Sequence, residues 1–443
     1  MRKPIVRMLT ALVLFFAGAA AAHAGMGNIA TNYGVLPADM ASAQALSIFG
    51  TQAAAAYYNP ANLVRDNHGQ FTTGLFYADH SLEGESKGGS EPLAREGDVI
   101  NDTASRNLLL GMKTDLSDLT RQNHPISFGF MAGVEKYGME MLAFNSETSK
   151  QGQYFSYDRQ PLFIRLGAGT RIWRGIDAGV GASIELHNEA ELQARTDLAG
   201  NTEHESLSVS TEPDLQAIFG LTADLEETLC PDGSCWLDGT EMAFSYREAS
   251  YAKTSVKANT VIPGTIPEPG LDLAVATIDS YKPEMIACGI SWSNEILRVG
   301  LAVEQQFWSE LEDEFADDTI KDQVDWDFKD VIVPRLGVEY RLADNYTLIS
   351  GVAFEESALD SNRSLDVNYL DTDRWIAGLG ISARFRDPWI LAYPLRLDLG
   401  YQYHWLKERD FELTHTEAPS NPYETITAKG EVHVVAGAIT LTF

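Results

Sequence analysis

Beyond residue 24, the chain alternates. Segments of about ten residues recur with apolar side chains at every second position and turn residues between them, the pattern of a strand with two different faces. In Pro334–Leu342, Leu336, Val338, Tyr340 and Leu342 share one face, and Arg335, Gly337, Glu339 and Arg341 share the other. Ile176–Leu186 repeats this, with Ile176, Val180 and Ile184 opposing Asp177, Gly181 and Glu185. So does Leu395–Trp405, where Leu399, Tyr401 and Trp405 oppose Asp398, Gln402 and His404. No apolar run after residue 24 reaches the ~20 residues of a spanning helix; Trp389–Leu395 contains Pro394, and Val434–Ile439 contains Gly437.

The other end of the chain supplies the compartment. Arg2, Lys3 and Arg7 precede the apolar run Met8–Ala22, and Ala22-His23-Ala24 offers small residues for cleavage, so residues 1–24 read as a secretory signal peptide. An exported chain that is 44% hydrophobic without a membrane helix is either a large soluble protein or a barrel. A soluble sandwich also alternates. Aromatic residues near strand ends, among them Tyr77, Trp173, Tyr340, Tyr346, Trp375, Trp389, Tyr403 and Trp405, fit an interfacial girdle. The last segment, Glu431–Phe443, alternates and stops on Phe443, resembling the signal read by the outer-membrane barrel assembly machinery, an expected partner.

The fold class expected is therefore all-β, a transmembrane antiparallel barrel of about fourteen strands. Strands are expected to begin near Gly69, Thr103, Pro125, Asp158, Gly175, Glu212, Thr240, Leu271, Leu297, Val331, Tyr346, Asp373, Leu395 and Lys429. With both termini periplasmic, the acidic stretch Glu310–Asp330 becomes an extracellular loop, solvated or able to bridge divalent cations and lipopolysaccharide. Residues 25–68 precede the first strand and are too apolar for a loose tail; they read as a plug inside the lumen, with 69–443 as the barrel.

Net charge is −30, which argues against nucleic acid as a partner. Cys230 and Cys235 flank Pro-Asp-Gly-Ser and could close a small disulfide loop in a periplasmic turn; Cys288 is left over. No metal site and no cofactor are expected, since the two sulfurs have no second pair or histidine cluster nearby. Neither Gly-x-Ser-x-Gly nor His-Glu-x-x-His occurs, so the chain is not expected to be an enzyme.

Several short runs resemble one family, the outer-membrane long-chain fatty acid and aromatic hydrocarbon transporters of the FadL type. Asn59-Pro60-Ala61 matches the family's hatch motif. Pro283-Glu284-Met285, Trp308-Ser309, Phe328-Lys329-Asp330, Arg335–Tyr340, Asp344–Thr347, Gly351–Phe354, Glu356-Ser357, Asn362-Arg363-Ser364 and Asp373-Arg374-Trp375 follow in family order. The likeness covers the hatch and residues 283–443; Gln70–Lys282 share only the strand rhythm. Ser357-Ala358 departs from the family's frequent Ser-Pro.

The resemblance implies a passive, monomeric channel in outer-membrane lipid and lipopolysaccharide. A hydrophobic small molecule would be captured outside and released sideways into the membrane. It implies long-chain fatty acids or related lipids as cargo, with aromatic or alkane hydrocarbons as the alternative; a structural or adhesive barrel is a third reading, which would leave the hatch sequence without purpose. Asn59 and Pro60 would belong to the gating hatch. Lys329 matches the family's head-group stretch, although a loop lysine neutralising Asp327 and Asp330 explains it equally. Arg335 and Arg165, on the luminal face by alternation, are the further ligand-binding candidates.

Overall fold

The computed structural model describes residues 33–89, 97–98, 104–117, 124–136, 144–146, 149–153, 162–196, 202–230, 235–262, 266–311, 328–360, 363–365, 370–388, 391–414 and 422–443. The signal segment 1–24, most of the acidic stretch 310–330, Pro231–Ser234 and Trp389 lie outside them.

Fourteen strands form the wall. The first seven are β1 (Gln70–Ser86), β2 (Ser105–Asp115), β3 (Ile126–Lys136), β4 (Leu162–Trp173), β5 (Ile176–Thr196), β6 (Thr202–Asp224) and β7 (Thr240–Arg247). The second seven are β8 (Glu284–Ser293), β9 (Leu297–Phe307), β10 (Val331–Ala343), β11 (Tyr346–Glu355), β12 (Arg374–Phe385), β13 (Leu395–Thr414) and β14 (Pro422–Thr442). Each pairs antiparallel with the next, and β14 returns to β1 from Gln70↔Thr442 to Ser86↔Ile426. Phe443 finishes the seam, exchanging two backbone hydrogen bonds of 2.8 Å with Gly69. Closure leaves no open edge along the wall, as a lipid solvent with no hydrogen-bonding capacity demands.

The alternation read from sequence is the barrel's two faces. Arg335 is 3% exposed and its neighbour Leu336 43%; His404 is 0% exposed and Trp405 53%. Trp173, Trp375, Tyr340 and Tyr346 are also exposed on the outer face. Among the described residues no helix is long and apolar enough to cross a membrane.

Three strand positions differ from expectation: the eighth, the sixth, and the fourteenth, which starts at Pro422 rather than near Lys429 because β13 and β14 run on together to Thr414↔Pro422. The eighth strand starts at Glu284 rather than near Leu271, because Ser250–Ile262 and Ile266–Lys282 pair with each other as a hairpin in the β7–β8 connection. The first arm of that hairpin also runs parallel to Glu189–Arg195 of β5. The sixth starts at Thr202 rather than near Glu212, because β5 and β6 continue together beyond the rest of the wall, up to Thr196↔Thr202.

Ahead of β1, residues 33–65 fold into four short turns of helix: Pro37–Ala41, Ser47–Phe49, Ala55–Tyr58 and Pro60–Arg65. Pro37 and Pro60 each open a turn where their missing N–H costs nothing. Pro37–Ala41 lies against β11 to β14, Ser47–Phe49 against β7 and β8, and Pro60–Arg65 against β3 to β6. A segment that touches wall strands on opposite sides of a closed barrel lies within it. Tyr33, Met40, Phe49 and Leu63 are almost fully buried there, worth about 1.5–3 kcal/mol each.

Candidate functional site

The lumen has three levels. Toward the end away from both termini, extracellular in the orientation expected above, Phe76, Leu82, Val331, Val333, Leu406, Phe411, Ile426 and Val432 from the wall pack with Trp308, Leu311, Phe328, Leu359 and Leu370 from the loops in one apolar cluster. Tyr33 and Met40 of the plug form its floor. The plug occupies the middle level. Beneath it, at the periplasmic end, a polar cavity of about 920 Å³ is lined by arginines, carboxylates and hydroxyls.

Glycine seats the plug. At the plug's level, strand after strand presents glycine inward, and a β-carbon there would strike the plug's backbone. At Gly351 it would meet Ser42, at Gly378 the carbonyls of Met40 and Ala41, at Gly400 the carbonyl of Pro37, and at Gly169 and Gly179 the backbone of Pro60. Gly220 faces the side chain of Asn59 in the same way. The alternation already placed Gly337 and Gly181 on the luminal face, and Gly179 and Gly400 share those faces with Asp177 and Asp398; the recurrence of glycine at one height was the signal for a close-fitting insert.

Asn59, 0% exposed, is the plug's central joint. Its Nδ2 donates to the Ile48 carbonyl at 3.1 Å and to Thr222 Oγ1 of β6 at 2.9 Å, and its Oδ1 accepts from Ala61 N at 3.2 Å. Asn62 repeats the pattern, donating to the same Ile48 carbonyl at 2.6 Å and accepting from Thr222 Oγ1 at 2.7 Å. Pro60, also buried, fixes the bend that follows. A second joint sits at Asp39, which accepts from Leu36 N at 2.8 Å and Ser47 Oγ at 2.7 Å. Burial pushes its carboxyl up to about 6, with the Ser47 and Leu36 hydrogen bonds acting in the opposite direction. Ala43 and Gln44 between these turns have φ of 47° and 63°, a left-handed bend that non-glycine residues adopt at a cost of about 1 kcal/mol or more.

Charged side chains of the wall hold the plug from the sides. Arg165 lies over the ring of Tyr57 at 4.0 Å, and Arg247 at 4.9 Å. Arg247 also donates to Glu304 at 2.7 Å, as Arg335 does at 3.3 Å while donating to the Ala43 carbonyl at 3.1 Å. Lys113 donates to the Thr51 carbonyl at 2.9 Å, while Arg374 pairs with Glu355 within the wall at 2.6 Å. At the plug's first described residue, Tyr33 OH is 2.7 Å from His80 Nε2, and its ring meets His404 edge-on at 5.2 Å. Neither Arg247 nor this Tyr33–His80–His404 group was singled out from sequence.

The structure brings Arg335 and Arg165 together with Asn59 and Pro60 around the plug. Lys329 is elsewhere. It lies outside the strands, half-exposed, with Nζ 3.4 Å from Glu356 and 4.0 Å from Asp360. Cys230 and Cys235 are joined by a disulfide in the β6–β7 turn, which also contains the short helix Leu225–Leu229. Cys288 is an exposed free thiol on the outer face of β8.

A sequence profile described as outer membrane protein transport protein (OMPP1/FadL/TodX) matches residues 233–443. Alkane uptake protein A of Marinobacter nauticus is 48% identical over 426 residues, covering 95% of this chain and 92% of that protein. A Pseudomonas aeruginosa FadL homologue superposes with a TM-score of 0.61 at 15% identity, covering 92% of this chain and 98% of its own. The P. putida toluene transporter TodX does so with a TM-score of 0.55 at 12% identity, covering 93% and 99%. At these identities the solved structures speak for the fold. The full-length sequence match, the fourteen-strand wall and the profile together make this chain a member of the OMPP1/FadL/TodX family of outer-membrane transport proteins.

Proposed function

We propose that the protein is a passive channel carrying neutral hydrocarbons, alkanes foremost, across the outer membrane, by displacement of the plug and lateral release into the bilayer. The 48% identity to an alkane uptake protein along nearly the whole chain carries this reading. The chemistry of the lumen agrees with it. A carboxylate cargo needs an available cation, because burying a lone charge is expensive. The buried luminal cations nearest the plug, Arg165, Arg247, Arg335 and Arg374, are already engaged with carboxylates, aromatic rings or plug carbonyls. An alkane asks only for apolar surface, which the extracellular half of the lumen supplies. The polar periplasmic cavity offers it nothing, which favours an exit through the wall.

Asn59 and Pro60 take the gating role in this scheme, and Lys329 takes none. Binding of radiolabelled hexadecane and oleate to the purified protein in detergent tests it. Saturable hexadecane binding with weak oleate binding is the expected result. Oleate binding that is tighter than hexadecane binding and is lost in Lys329→Ala would restore the fatty acid reading with Lys329 as head-group partner.

A further inference from the structure

The periplasmic cavity contains a charge arrangement that hydrocarbon passage does not use. On its wall, strands β10 to β13 bring positions into direct cross-strand register: Arg341 opposite Thr347, Thr347 opposite Ser382, and Arg384 opposite Arg396. Directly opposed residues on one face lie about 5 Å apart at their β-carbons, and like charges so placed destabilise a sheet. Arg341, Arg384, Arg386 and Arg396 all line the cavity, with Thr347 and Ser382.

Asp398 and Glu339, the carboxylates whose charge reaches Arg384, have other ion-pair partners. Asp398 binds Arg396 at 2.8 Å, and Glu339 lies 3.9 Å from Arg298. Asp344 also lines the cavity. Among the described residues, no carboxylate is within ion-pair distance of Arg341 or Arg384. The second observation is Ser382. It is 3% exposed, lines the same cavity, and its Oγ has no hydrogen-bond partner among the described residues. A buried hydroxyl left unpaired costs about 1–3 kcal/mol unless something from outside the chain satisfies it.

We propose that this corner of the periplasmic mouth is an oxyanion site, in which Arg341, Arg384 and Arg396 with the hydroxyls of Thr347 and Ser382 hold a phosphate group. A guanidinium presents paired N–H donors that match two phosphate oxygens at once, and an anion between Arg384 and Arg396 turns their repulsion into shared attraction. The phosphate comes either free from the periplasm or on a phospholipid headgroup of the adjacent leaflet. The site is independent of which cargo the lumen carries.

Isothermal titration of the full-length mature barrel in a phosphate-free, zwitterionic detergent tests this, with inorganic phosphate in one arm and monomeric dihexanoyl phosphatidylglycerol in the other. Saturable binding in at least one arm is expected, weakened about ten-fold or more in Arg384→Gln and in Arg341→Gln. Ser382→Ala should weaken it less, and Lys407→Gln at the opposite end of the barrel should leave it unchanged. Strand circular dichroism and Tm show that each variant is folded. Binding confined to phosphate assigns the free anion, and binding confined to the lipid assigns a headgroup. No saturable binding in either arm, or equal binding by the folded Arg384→Gln and Arg341→Gln variants, overturns the site.

Discussion

Asn59→Ala should loosen the plug while leaving the barrel intact. The side chain makes three buried hydrogen bonds at 2.9–3.2 Å, to Ile48, Thr222 and Ala61. At about 1 kcal/mol each they stabilise the docked plug by about 3 kcal/mol, a factor of roughly a hundred in its docking equilibrium. Two of the abandoned partners keep Asn62: the Ile48 carbonyl through its 2.6 Å bond and Thr222 through its 2.7 Å bond. The plug should therefore weaken rather than unravel. Amide hydrogen exchange followed by mass spectrometry reads this directly, since exchange through local opening reports the opening free energy. Peptides covering Ala55–Asn62 should exchange about a hundred-fold faster in the variant, while peptides from β9 to β14 keep the parent rate. Thr222→Val removes the wall side of the joint, with its bonds to both Asn59 and Asn62, and should fall between parent and Asn59→Ala. Planar-bilayer recordings should show conductance bursts in Asn59→Ala that the parent lacks. Unchanged exchange in Ala55–Asn62 would refute the assignment of Asn59 as the plug's joint, and faster exchange throughout the strands would show a role in the barrel instead.

Gly378→Leu places a side chain where the Met40 and Ala41 carbonyls now sit, so Pro37–Ala41 should lose exchange protection while the strand circular dichroism stays that of the parent. Asp39, with its carboxyl pushed up to about 6 in the folded plug, binds its proton more tightly there than in the unfolded chain. Its contribution to docking is therefore present below pH about 4 and is lost as pH rises through about 6. After correction for intrinsic rates, plug exchange should slow as pH falls from 7 to 5, and Asp39→Asn should abolish that dependence. Lys329→Ala should leave hexadecane binding within two-fold of the parent, about 0.4 kcal/mol, because the residue only pairs with Glu356 and Asp360. Cys288, facing lipid while Cys230 and Cys235 are bonded, should react in reconstituted protein with a lipophilic maleimide and not with a sulfonated one; equal labelling by both would place it off the lipid face.

Much of the wall was legible because a lipid solvent enforces strict two-sidedness. Arg335 beside Leu336, or His404 beside Trp405, can be assigned to faces from sequence since no other arrangement buries the polar partner. The hairpin Ser250–Ile262 with Ile266–Lys282 was not separable from the wall, because its strands alternate as wall strands do and only long-range pairing distinguishes them. The run Pro283-Glu284-Met285 was the better guide there, marking where the chain rejoins the barrel. Lys329 shows the opposite difficulty: two residues before β10, it follows no alternation rule, and its carboxylate neighbours Glu356 and Asp360 come from a different loop. The pairing of Arg247 and Arg335 on Glu304 depends on adjacent strands meeting in one register, which no local pattern records.

The choice between charged and neutral cargo turns on what each would have to displace. A carboxylate settling beside Arg335 or Arg247 must compete with Glu304, which both arginines share at 3.3 and 2.7 Å, and would bring a second negative charge beside it. Displacing Glu304 leaves that carboxylate buried without its arginines, with only the Gln306 hydrogen bond at 2.8 Å, a penalty of several kcal/mol. Each methylene moved from water into apolar surroundings contributes about 0.8 kcal/mol to an alkane and to a fatty acid tail alike, so the two cargoes differ in the ion pairs that only the carboxylate disturbs. In the proposed scheme the Arg247–Glu304–Arg335 triad acts as a specificity device. Glu304→Gln leaves two arginines short of charge at the plug's edge, and oleate binding should strengthen about ten-fold or more while hexadecane binding stays within two-fold. If oleate binding is unaffected in a variant whose plug still docks, the triad is structural, and the proposed preference for neutral cargo has to rest on the extracellular cluster of Phe76, Phe328 and Phe411 instead.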